Sequence, residues 1–228
     1  MVDIHAHVLP YVDDGSDSNI KSLKMLRAAV KMGVTDMVLT PHYRYNYKLS
    51  KEKLKEGFDK FSEQARNENI PINLYLGQEI YIDREYARNF DENRVITMNG
   101  TNYALLEFYY KKEYDIADCV FELSLRGYKA IIAHFERYVY ATIEDAVAIK
   151  KMGGLIQVNA PSLVGKAGLK CKKMARRLLE EGLVDFVASD VHSRRNNCLD
   201  KAYKLVLKKH GKETADKLFI ENAKTFII

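Results

Sequence analysis

Seven short apolar runs, separated by segments with helical periodicity, are the feature of this 228-residue sequence that most constrains its fold. The runs barely alternate between apolar and polar residues, which is typical of parallel strands that are covered on both faces. We therefore predict buried strands at 2–7, 36–40, 72–80, 103–108, 130–134, 155–159 and 184–189.

The segments between these runs have the pattern of amphipathic helices. In residues 51–68, the apolar positions Leu54, Phe58, Phe61 and Ala65 step by four, three and four, which places them on one helix face. Similar patterns predict helices at 18–32, 114–126, 142–152, 169–181 and 197–209. This alternation of strands and helices predicts an α/β fold with a parallel sheet, either open or closed into a barrel.

Composition limits the class of protein. The chain is 47% hydrophobic, which is enough for one buried core, and we expect a single domain over residues 1–228. It has no 18-residue apolar run and begins without the pattern of a signal peptide. Three scattered cysteines suggest a cytoplasmic protein without disulfides. The net charge of +5 favours anionic substrates, although a solvated lysine-rich surface explains it equally well.

Side chains that can bind metal ions collect at the C-terminal ends of the predicted strands. These ends meet at one rim of an α/β fold, where the sites of such folds are built. Five of the six histidines lie there, and only His210 is expected elsewhere, on a surface helix. With the nearby carboxylates, the candidate set is His5, His7, Asp14, His42, Glu79, Glu107, His134, Asp190 and His192.

This set of residues indicates a cluster of divalent ions. Four carboxylates crowded together without cations would repel one another and have raised pKa values. Neutral imidazole with carboxylate is a ligand set for zinc, manganese or iron, and nine donors exceed the coordination of one ion. The spacing agrees, because His5 and His7 point to the same side of an extended strand, and Asp190 and His192 repeat the same spacing.

The charge of such a cluster predicts the substrate. Three divalent ions and four carboxylates leave about two positive charges, which suits a phosphate dianion attacked by a metal-bound hydroxide. Arg137 could bind phosphate oxygens through its fork of donors, or pair with Glu136 or another neighbour. The aromatic and basic segment 40–49 could be a lid over an aromatic substrate or a packed loop, with Arg44 a weaker phosphate ligand.

Two other features allow different chemistry. Cys171 and Arg177 have the spacing found in cysteine phosphatases, but no glycine lies between them and no strand end precedes them. We interpret them as one exposed helix face. The basic stretch 165–177 could follow a nucleic-acid backbone, as in a nuclease, but a solvated helix face explains it better.

Several motifs run in a fixed order along nearly the whole chain: DIHAHVLPYVDDG (3–15), TPH (40–42), GQEIYI (77–82), LLEF (105–108), AHFERY (133–138), GLIQVNAPSLVG (154–165) and ASDVHS (188–193). Together they resemble the PHP (polymerase and histidinol phosphatase) superfamily. The resemblance is stronger to its bacterial metal-dependent tyrosine phosphatases of the CpsB/YwqE type. It implies a distorted (β/α)7 TIM-like barrel, the PHP fold, that holds three ions, usually Mn²⁺, with iron and zinc as alternatives.

The resemblance also implies a role for each candidate residue. Its ligand sets are His5, His7 and Asp190 for one ion, Glu79, Glu107 and His134 for a second that Glu79 bridges to the first, and Asp14, His42 and His192 for the third. Arg137 matches the family's phosphate-binding arginine, and it joins Glu79 as an implied catalytic residue. Phe135 departs from the family pattern, which usually has proline there, and this puts the placement of the Arg137 loop in question.

The implied reaction is hydrolysis of phosphotyrosine by a metal-bridging hydroxide. The implied substrates are tyrosine-rich tails of bacterial tyrosine kinases that control capsule and exopolysaccharide synthesis. We expect no nucleic-acid partner, while peripheral association with a membrane kinase and the oligomeric state stay open. The alternatives are a histidinol phosphatase, another PHP-type phosphoesterase or nuclease, and a non-catalytic binding domain. A non-catalytic binding domain would be expected to have lost ligands, and all nine candidate ligands are present in this sequence.

Overall fold

Parallel strands form the centre of the molecule in the computed structural model, which describes residues 1–47, 49–195 and 197–227. Within these ranges the strands are β1 Val2–Ala6, β2 Asp36–Leu39, β3 His42–Tyr43, β4 Asn73–Leu76, β5 Glu79–Tyr81, β6 Tyr103–Glu107, β7 Lys129–Ile132, β8 Leu155–Asn159 and β9 Phe186–Ala188. Every pair of hydrogen-bonded strands is parallel. The prediction of parallel strands is confirmed.

Helices cover the outside of this sheet. They are α1 Asn19–Lys31, α2 Lys51–Asn67, α3 Tyr86–Asp91, α4 Ile116–Leu125, α5 Ile143–Lys151, α6 Ala160–Leu163, α7 Leu169–Glu180, α8 Leu199–Asp216 and α9 Lys224–Ile227. The six predicted helices are present, and the short α3, α6 and α9 are additional. Side-chain oxygens of Ser18, Ser50 and Thr142 accept the first free backbone N–H groups of α1, α2 and α5, so these helices begin at capping residues.

The third predicted strand, 72–80, is interrupted, and the second, 36–40, is followed after a break by a further short strand. The order of hydrogen-bonded strands is β1-β2-β4 in one sheet and β3-β5-β6-β7-β8-β9 in the other. Leu39 pairs with Leu76 and His42 with Glu79 in one unchanged register, so β3 continues β2 and β5 continues β4. The first break contains Pro41, which has no N–H to donate to a ladder. The nine strands therefore occupy seven positions.

The seventh position closes against the first. A parallel bridge joins Ala6 to Val191, and the N–H of Asp190 donates to the carbonyl of His5 at 2.9 Å. The sheet is thus a closed ring of seven strand positions, and the predicted (β/α)7 barrel is confirmed. At the N-terminal end of the strands, the ring of Phe226 on α9 packs against Tyr103 and Phe186. This packing covers one end of the barrel.

Tyr138 ties together two strand ends at the opposite rim. Its buried hydroxyl accepts the N–H of Phe108 at 3.1 Å and donates to the carbonyl of Ala133 at 3.0 Å. Phe108 directly follows β6, and Ala133 directly follows β7, so one side chain sets the distance between the two ends. Both ends carry candidate ligands, Glu107 and His134.

We expect Tyr138→Phe to lower the free energy of unfolding by about 1–3 kcal/mol, because it leaves a buried N–H and a buried carbonyl without a partner. Chemical denaturation followed by circular dichroism measures this. Tyr128→Phe is the matched control, because that ring packs on Phe90 while its hydroxyl has no hydrogen-bond partner within the described residues. Equal stability of the two variants would contradict the role given to Tyr138.

Candidate metal centre

All nine candidate ligands meet at the open rim of the barrel, around the buried carboxylate of Glu79 on β5. Its oxygens lie 3.4 Å from Nε2 of His5, 3.2 Å from Nε2 of His7, 2.8 Å from Nδ1 of His42 and 2.7 Å from Nε2 of His134. One carboxylate therefore contacts four imidazoles, two from the first strand position and one each from the positions of β3 and β7.

The ligand atoms form three groups, each with all its donors within 4.8 Å of one another: His5, His7 and Asp190; His42, Glu79 and Glu107; and His7, Asp14, His42 and His192. The first group is the set that the resemblance implies for one ion. The third contains the implied set with His7 added. In the second, His42 stands where His134 was expected, and Nε2 of His134 instead contacts the shared Glu79.

The two histidines of β1 face each other in a way that requires a cation. Nδ1 of His7 donates to Asp13 Oδ2 at 2.7 Å, and Nδ1 of His5 donates to Gln157 Oε1 at 3.1 Å. In the neutral rings this leaves a lone pair on each Nε2, and these two nitrogens are 3.1 Å apart. A proton or a metal ion is needed to remove the repulsion between them.

The second group contains buried polar atoms that form no hydrogen bond of regular geometry in the described chain, although Nδ1 of His42 lies 2.8 Å from Oε2 of Glu79. Nδ1 of His42, Oε2 of Glu79 and Oε2 of Glu107 are buried and have no hydrogen-bond partner among the described residues. Such atoms are costly to bury unpaired. Because all three belong to one group of converging donors, the residues present fit a divalent ion, and a nitrogen and oxygen donor set suits manganese, iron or zinc.

The pKa values show how the cluster holds protons without metal. Burial would lower the pKa of His42, but Glu79 and Asp14 outweigh this effect and raise it to about 9. Although burial disfavours its charge, Glu79 has a pKa well below its usual range because His5 and His42 face it. Burial and the neighbouring His7 lower the pKa of His192 to about 4. At neutral pH, His42 therefore carries a proton and His192 is free to coordinate.

Two candidate ligands have a strained backbone. His134 has a φ of 34° and Asp190 a φ of 49°, in the left-handed region that residues other than glycine rarely adopt. His134 follows the end of β7 by two residues, so it is not the last residue of that strand as predicted. Its N–H donates to Gln157 Oε1 at 2.9 Å. Such strain is typical of functional sites, where the surroundings hold it in place.

Asp13 belongs to the site, and the sequence analysis missed it. Its Oδ2 accepts a hydrogen bond from Nδ1 of His7 and another from the N–H of His42 at 3.0 Å. Its Oδ1 accepts the N–H of Gly15 at 2.9 Å. A carboxylate behind a ligating histidine fixes the tautomer and the ring orientation. The two consecutive aspartates were the sequence signal for this role. Asp14 faces His42 and His192, and Asp13 contacts His7 from the other side.

Gly15 is required by close packing. A Cβ at this position would lie 2.2 Å from the carbonyl oxygen and 2.3 Å from the Cβ of His7. The carbonyl of Gly15 also accepts the N–H of Ser193 at 2.7 Å. The loop after β1 therefore lies directly against the H-x-H segment, and this brings Asp13 and Asp14 to the ligands.

A chain of amides on β8 links three of the ligands, and it was also missed. Gln157 Oε1 binds His5 and the N–H of His134, and its Nε2 donates to Asn159 Oδ1 at 2.8 Å. Asn159 Nδ2 then donates to Asp190 Oδ2 at 2.8 Å. Strand β8 carries no candidate ligand itself, but its amide side chains hold His5, His134 and Asp190 in place.

Arg137 lies at the mouth of the site. Its Nη1 donates to Asp190 Oδ2 at 3.1 Å, and its guanidinium lies 4.7 Å from the ring centre of Tyr110. Glu136, the partner considered from sequence, is buried and instead accepts from Ser162 and from the N–H of Asn159. Phe135 is fully buried, and Arg137 still faces the site beside it.

Segment 40–49 is partly packed and partly at the mouth; its Lys48 lies outside the described residues. Tyr43 is buried and donates to Asn89, whereas Tyr45 is 88% exposed. Arg44 lies 3.6 Å from Asp14 Oδ2 and 4.0 Å from Glu107 Oε2, with its guanidinium over the ring of Tyr47. The packed-loop interpretation therefore describes Tyr43, and the lid over an aromatic substrate stays a prediction.

Cys171 lies on α7 and is half-buried, and burial raises the pKa of its thiol. A nucleophilic cysteine needs the opposite shift. Much of the basic stretch 165–177 is exposed, as expected for a helix face in water. In the part of the chain that the structure describes, no helix has the length and apolar character needed to cross a bilayer.

Comparison with known proteins gives a consistent result. The model of the family described as "Capsular polysaccharide synthesis, CpsB/CapC" matches residues 1–228. Tyrosine-protein phosphatase YwqE of Bacillus subtilis (strain 168) is 33% identical over 219 residues, which cover 93% of this chain and 86% of the relative. Tyrosine-protein phosphatase CpsB of Streptococcus agalactiae is 31% identical over 238 residues, covering 100% and 98%.

A solved structure agrees over the whole chain. It comes from work on YwqE from Bacillus subtilis and CpsB from Streptococcus pneumoniae, described as unique metal-dependent tyrosine phosphatases. The TM-score is 0.93 at 32% identity, with 100% of this chain and 94% of the other covered. The backbone that carries the nine candidate ligands is thus shared with a metal-dependent enzyme.

We expect Mn²⁺ binding to the metal-free protein at pH 7 to release protons, since His42 has a pKa of about 9 and must be neutral to coordinate. For the same reason, the apparent affinity should rise from pH 7 to pH 9. Titration calorimetry in buffers of different ionisation enthalpy counts the protons. The His42→Gln variant should release roughly one proton fewer. No proton release from the parent protein would disprove this description of the cluster.

Asp13→Asn should weaken Mn²⁺ binding by about 10–100-fold, because it removes the charge that holds His7 in its ligating tautomer. Equilibrium binding of the metal is the measurement, so no assumption about activity is needed. Asp17→Asn is the matched control, since Asp17 lies on the same loop but is exposed and forms its ion pair with Lys21, away from the ligands. Unchanged affinity in Asp13→Asn would exclude the positioning role.

Proposed function

The chain belongs to the capsular polysaccharide synthesis family CpsB/CapC, and on this premise we propose that it is a metal-dependent protein-tyrosine phosphatase. Its relatives in Bacillus subtilis and Streptococcus agalactiae are named tyrosine-protein phosphatases. The observation that carries the proposal is the pair of facing Nε2 atoms of His5 and His7, 3.1 Å apart beside the shared carboxylate of Glu79. That arrangement is suited to holding cations next to an anionic substrate.

The nine candidate ligands divide among three ions in this proposal. His5, His7 and Asp190 hold the first, Glu107 and His134 with the shared Glu79 hold the second, and Asp14, His42 and His192 hold the third. The contacts of His42 with both Glu79 and Glu107 bring the second and third sites together. When bound, the ions supply Lewis-acid activation of water and neutralise charge on the phosphoryl group.

Arg137 is the group of the chain that receives the phosphate. Its side chain is 28% exposed. Asp190 contacts its guanidinium on one side and the ring face of Tyr110 on the other. The remaining N–H groups of the guanidinium can bind phosphate oxygens. Arg44 approaches from the opposite side of the mouth, next to Asp14 and Glu107. The two guanidiniums flank the cluster and orient the phosphoryl group for in-line attack.

The leaving group makes phosphotyrosine a suitable substrate. Its phenol has a pKa of about 10, so the phenolate departs with less protonation than an alkoxide requires. No neutral acid is needed at the leaving oxygen, and the phenol of Tyr110 is a poor acid, since burial raises its pKa. Hydrolysis then proceeds directly, without a phosphorylated enzyme.

The finer assignments follow from the same features. Manganese is the proposed ion, with iron and zinc as alternatives, because the donors are nitrogen and oxygen only. The proposed substrate is the phosphotyrosine tail of a bacterial tyrosine kinase in capsule synthesis, supported by the family to which the chain belongs. All three cysteines are free, which supports a cytoplasmic location, and one barrel over residues 1–228 supports a single domain.

A substrate panel tests the proposal. Protein loaded with Mn²⁺ should hydrolyse p-nitrophenyl phosphate and a phosphotyrosine peptide, and EDTA should abolish both reactions. His5→Ala should lower kcat/KM by more than about 100-fold, because a ligand and not only its support is removed. Cys171→Ala, which changes a thiol of high pKa outside the cluster, should have no effect. Faster turnover of histidinol phosphate than of the phosphopeptide would support the histidinol phosphatase alternative instead.

A further inference from the structure

A cavity of about 940 Å³ opens directly beside the candidate metal centre. Arg137, Asp190 and His192 form part of its wall, so it is continuous with the place where a phosphoryl group would bind. From there it extends along two partly buried methionines, Met25 on α1 and Met32 directly after it. Pockets of this size hold molecules much larger than a phosphate group. The cavity therefore has room for parts of a substrate beyond the phosphotyrosine.

The charged wall of this cavity is mainly basic. Asp190 is already contacted by two of the cations, Arg137 at 3.1 Å and Arg195 at 3.4 Å. The remaining acid, Asp200, has Lys204 on its own helix at 3.9 Å. The acidic groups of the wall are thus matched by neighbouring cations before the lysines of the wall are counted.

Lys166 and Lys201 are the uncompensated charges. Both line the cavity and are exposed, and neither has a carboxylate within 4.0 Å among the residues described. Lys166 precedes α7, and Lys201 lies in the first turn of α8, so they approach from two different elements. Burial raises the pKa of the Cys198 thiol, and the positive charges of both lysines act against that shift. Both lysines and Cys198 line the same cavity.

We propose that this cavity is a specificity subsite in which Lys166 and Lys201 bind anionic side chains next to the phosphotyrosine of the substrate. The inference deepens the proposed function and rests on it. The anionic group can be a carboxylate of Asp or Glu, or the phosphate of a second phosphotyrosine, because both offer the oxygens that an ammonium group binds. Met25 and Met32 then contact the apolar parts of these anionic side chains of the substrate.

Kinetics with three matched phosphotyrosine peptides test the subsite. The peptides have glutamate, alanine or lysine on both sides of the phosphotyrosine, and a fourth carries a second phosphotyrosine beside the first. We expect KM to be about three- to tenfold lower for the glutamate peptide than for the lysine peptide at low salt, with similar kcat. The fourth peptide shows whether phosphate is preferred to carboxylate. Equal KM values for the first three would overturn the proposal.

The Lys166→Glu/Lys201→Glu double variant should remove or reverse this preference while leaving hydrolysis of p-nitrophenyl phosphate unchanged. The control is Lys208→Glu/Lys209→Glu, which makes the same charge change at exposed positions farther along α8. A control that loses the preference to the same extent would show a general charge effect and reject the subsite.

Binding separates this inference from the proposed function. Labelled peptides with phosphonomethyl-phenylalanine in place of phosphotyrosine cannot be hydrolysed, so their Kd for the Mn²⁺-loaded protein can be measured by fluorescence anisotropy without turnover. A lower Kd for the glutamate peptide that is lost in the Lys166→Glu/Lys201→Glu variant supports the subsite, even if the phosphatase proposal fails. A Kd that does not depend on the flanking residues rejects the subsite, whatever the enzyme hydrolyses.

Discussion

Two imidazole nitrogens that face each other across 3.1 Å are the interaction on which the rest of the site depends. Because the Nδ1–H groups of His7 and His5 donate to Asp13 and Gln157, the opposing Nε2 atoms of the neutral rings both carry lone pairs. A carboxylate beside them, Glu79, adds negative charge to the same space. An arrangement of this kind is stable only with positive charge at its centre, supplied by protons or by metal ions.

The fold provides the rigidity that such a cluster needs. The H-x-H strand is held between the Gly15 loop and the segment after β9, and the closing bond from Asp190 to His5 is also a bond between two ligand-bearing residues. Closing the barrel and assembling the site are therefore the same event. The left-handed conformations of His134 and Asp190 store strain that the amide chain of Gln157 and Asn159 stabilises. Polar support of this kind is typical of sites that must keep their geometry while charge changes.

Much of this could be predicted from the sequence, for a physical reason. Parallel strands buried on both faces leave long apolar runs, and any polar residue at the end of such a run must serve the rim. Spacing in an extended strand also places His5 and His7 on one side. What could not be predicted were contacts between distant segments. The role of Asp13 depends on how the loop turns back across His7, and Gly77, in the break of the third predicted strand, lies where a Cβ would come within 3.0 Å of Met98 Sδ.

The sequence by itself determined the class of fold, the rim at which the candidate ligands collect and the kind of ion that their donors suit, because periodicity and residue chemistry are local properties. Only the tertiary structure decided how the donors are shared. In the folded chain His42 belongs to two of the groups of ligand atoms, and His134 contacts Glu79. Arg137 donates to Asp190 and not to Glu136. The tertiary structure also placed two lysines, one from the segment before α7 and one from α8, beside the same cavity. These are distances between residues far apart in the chain, and they exist only once the barrel has closed.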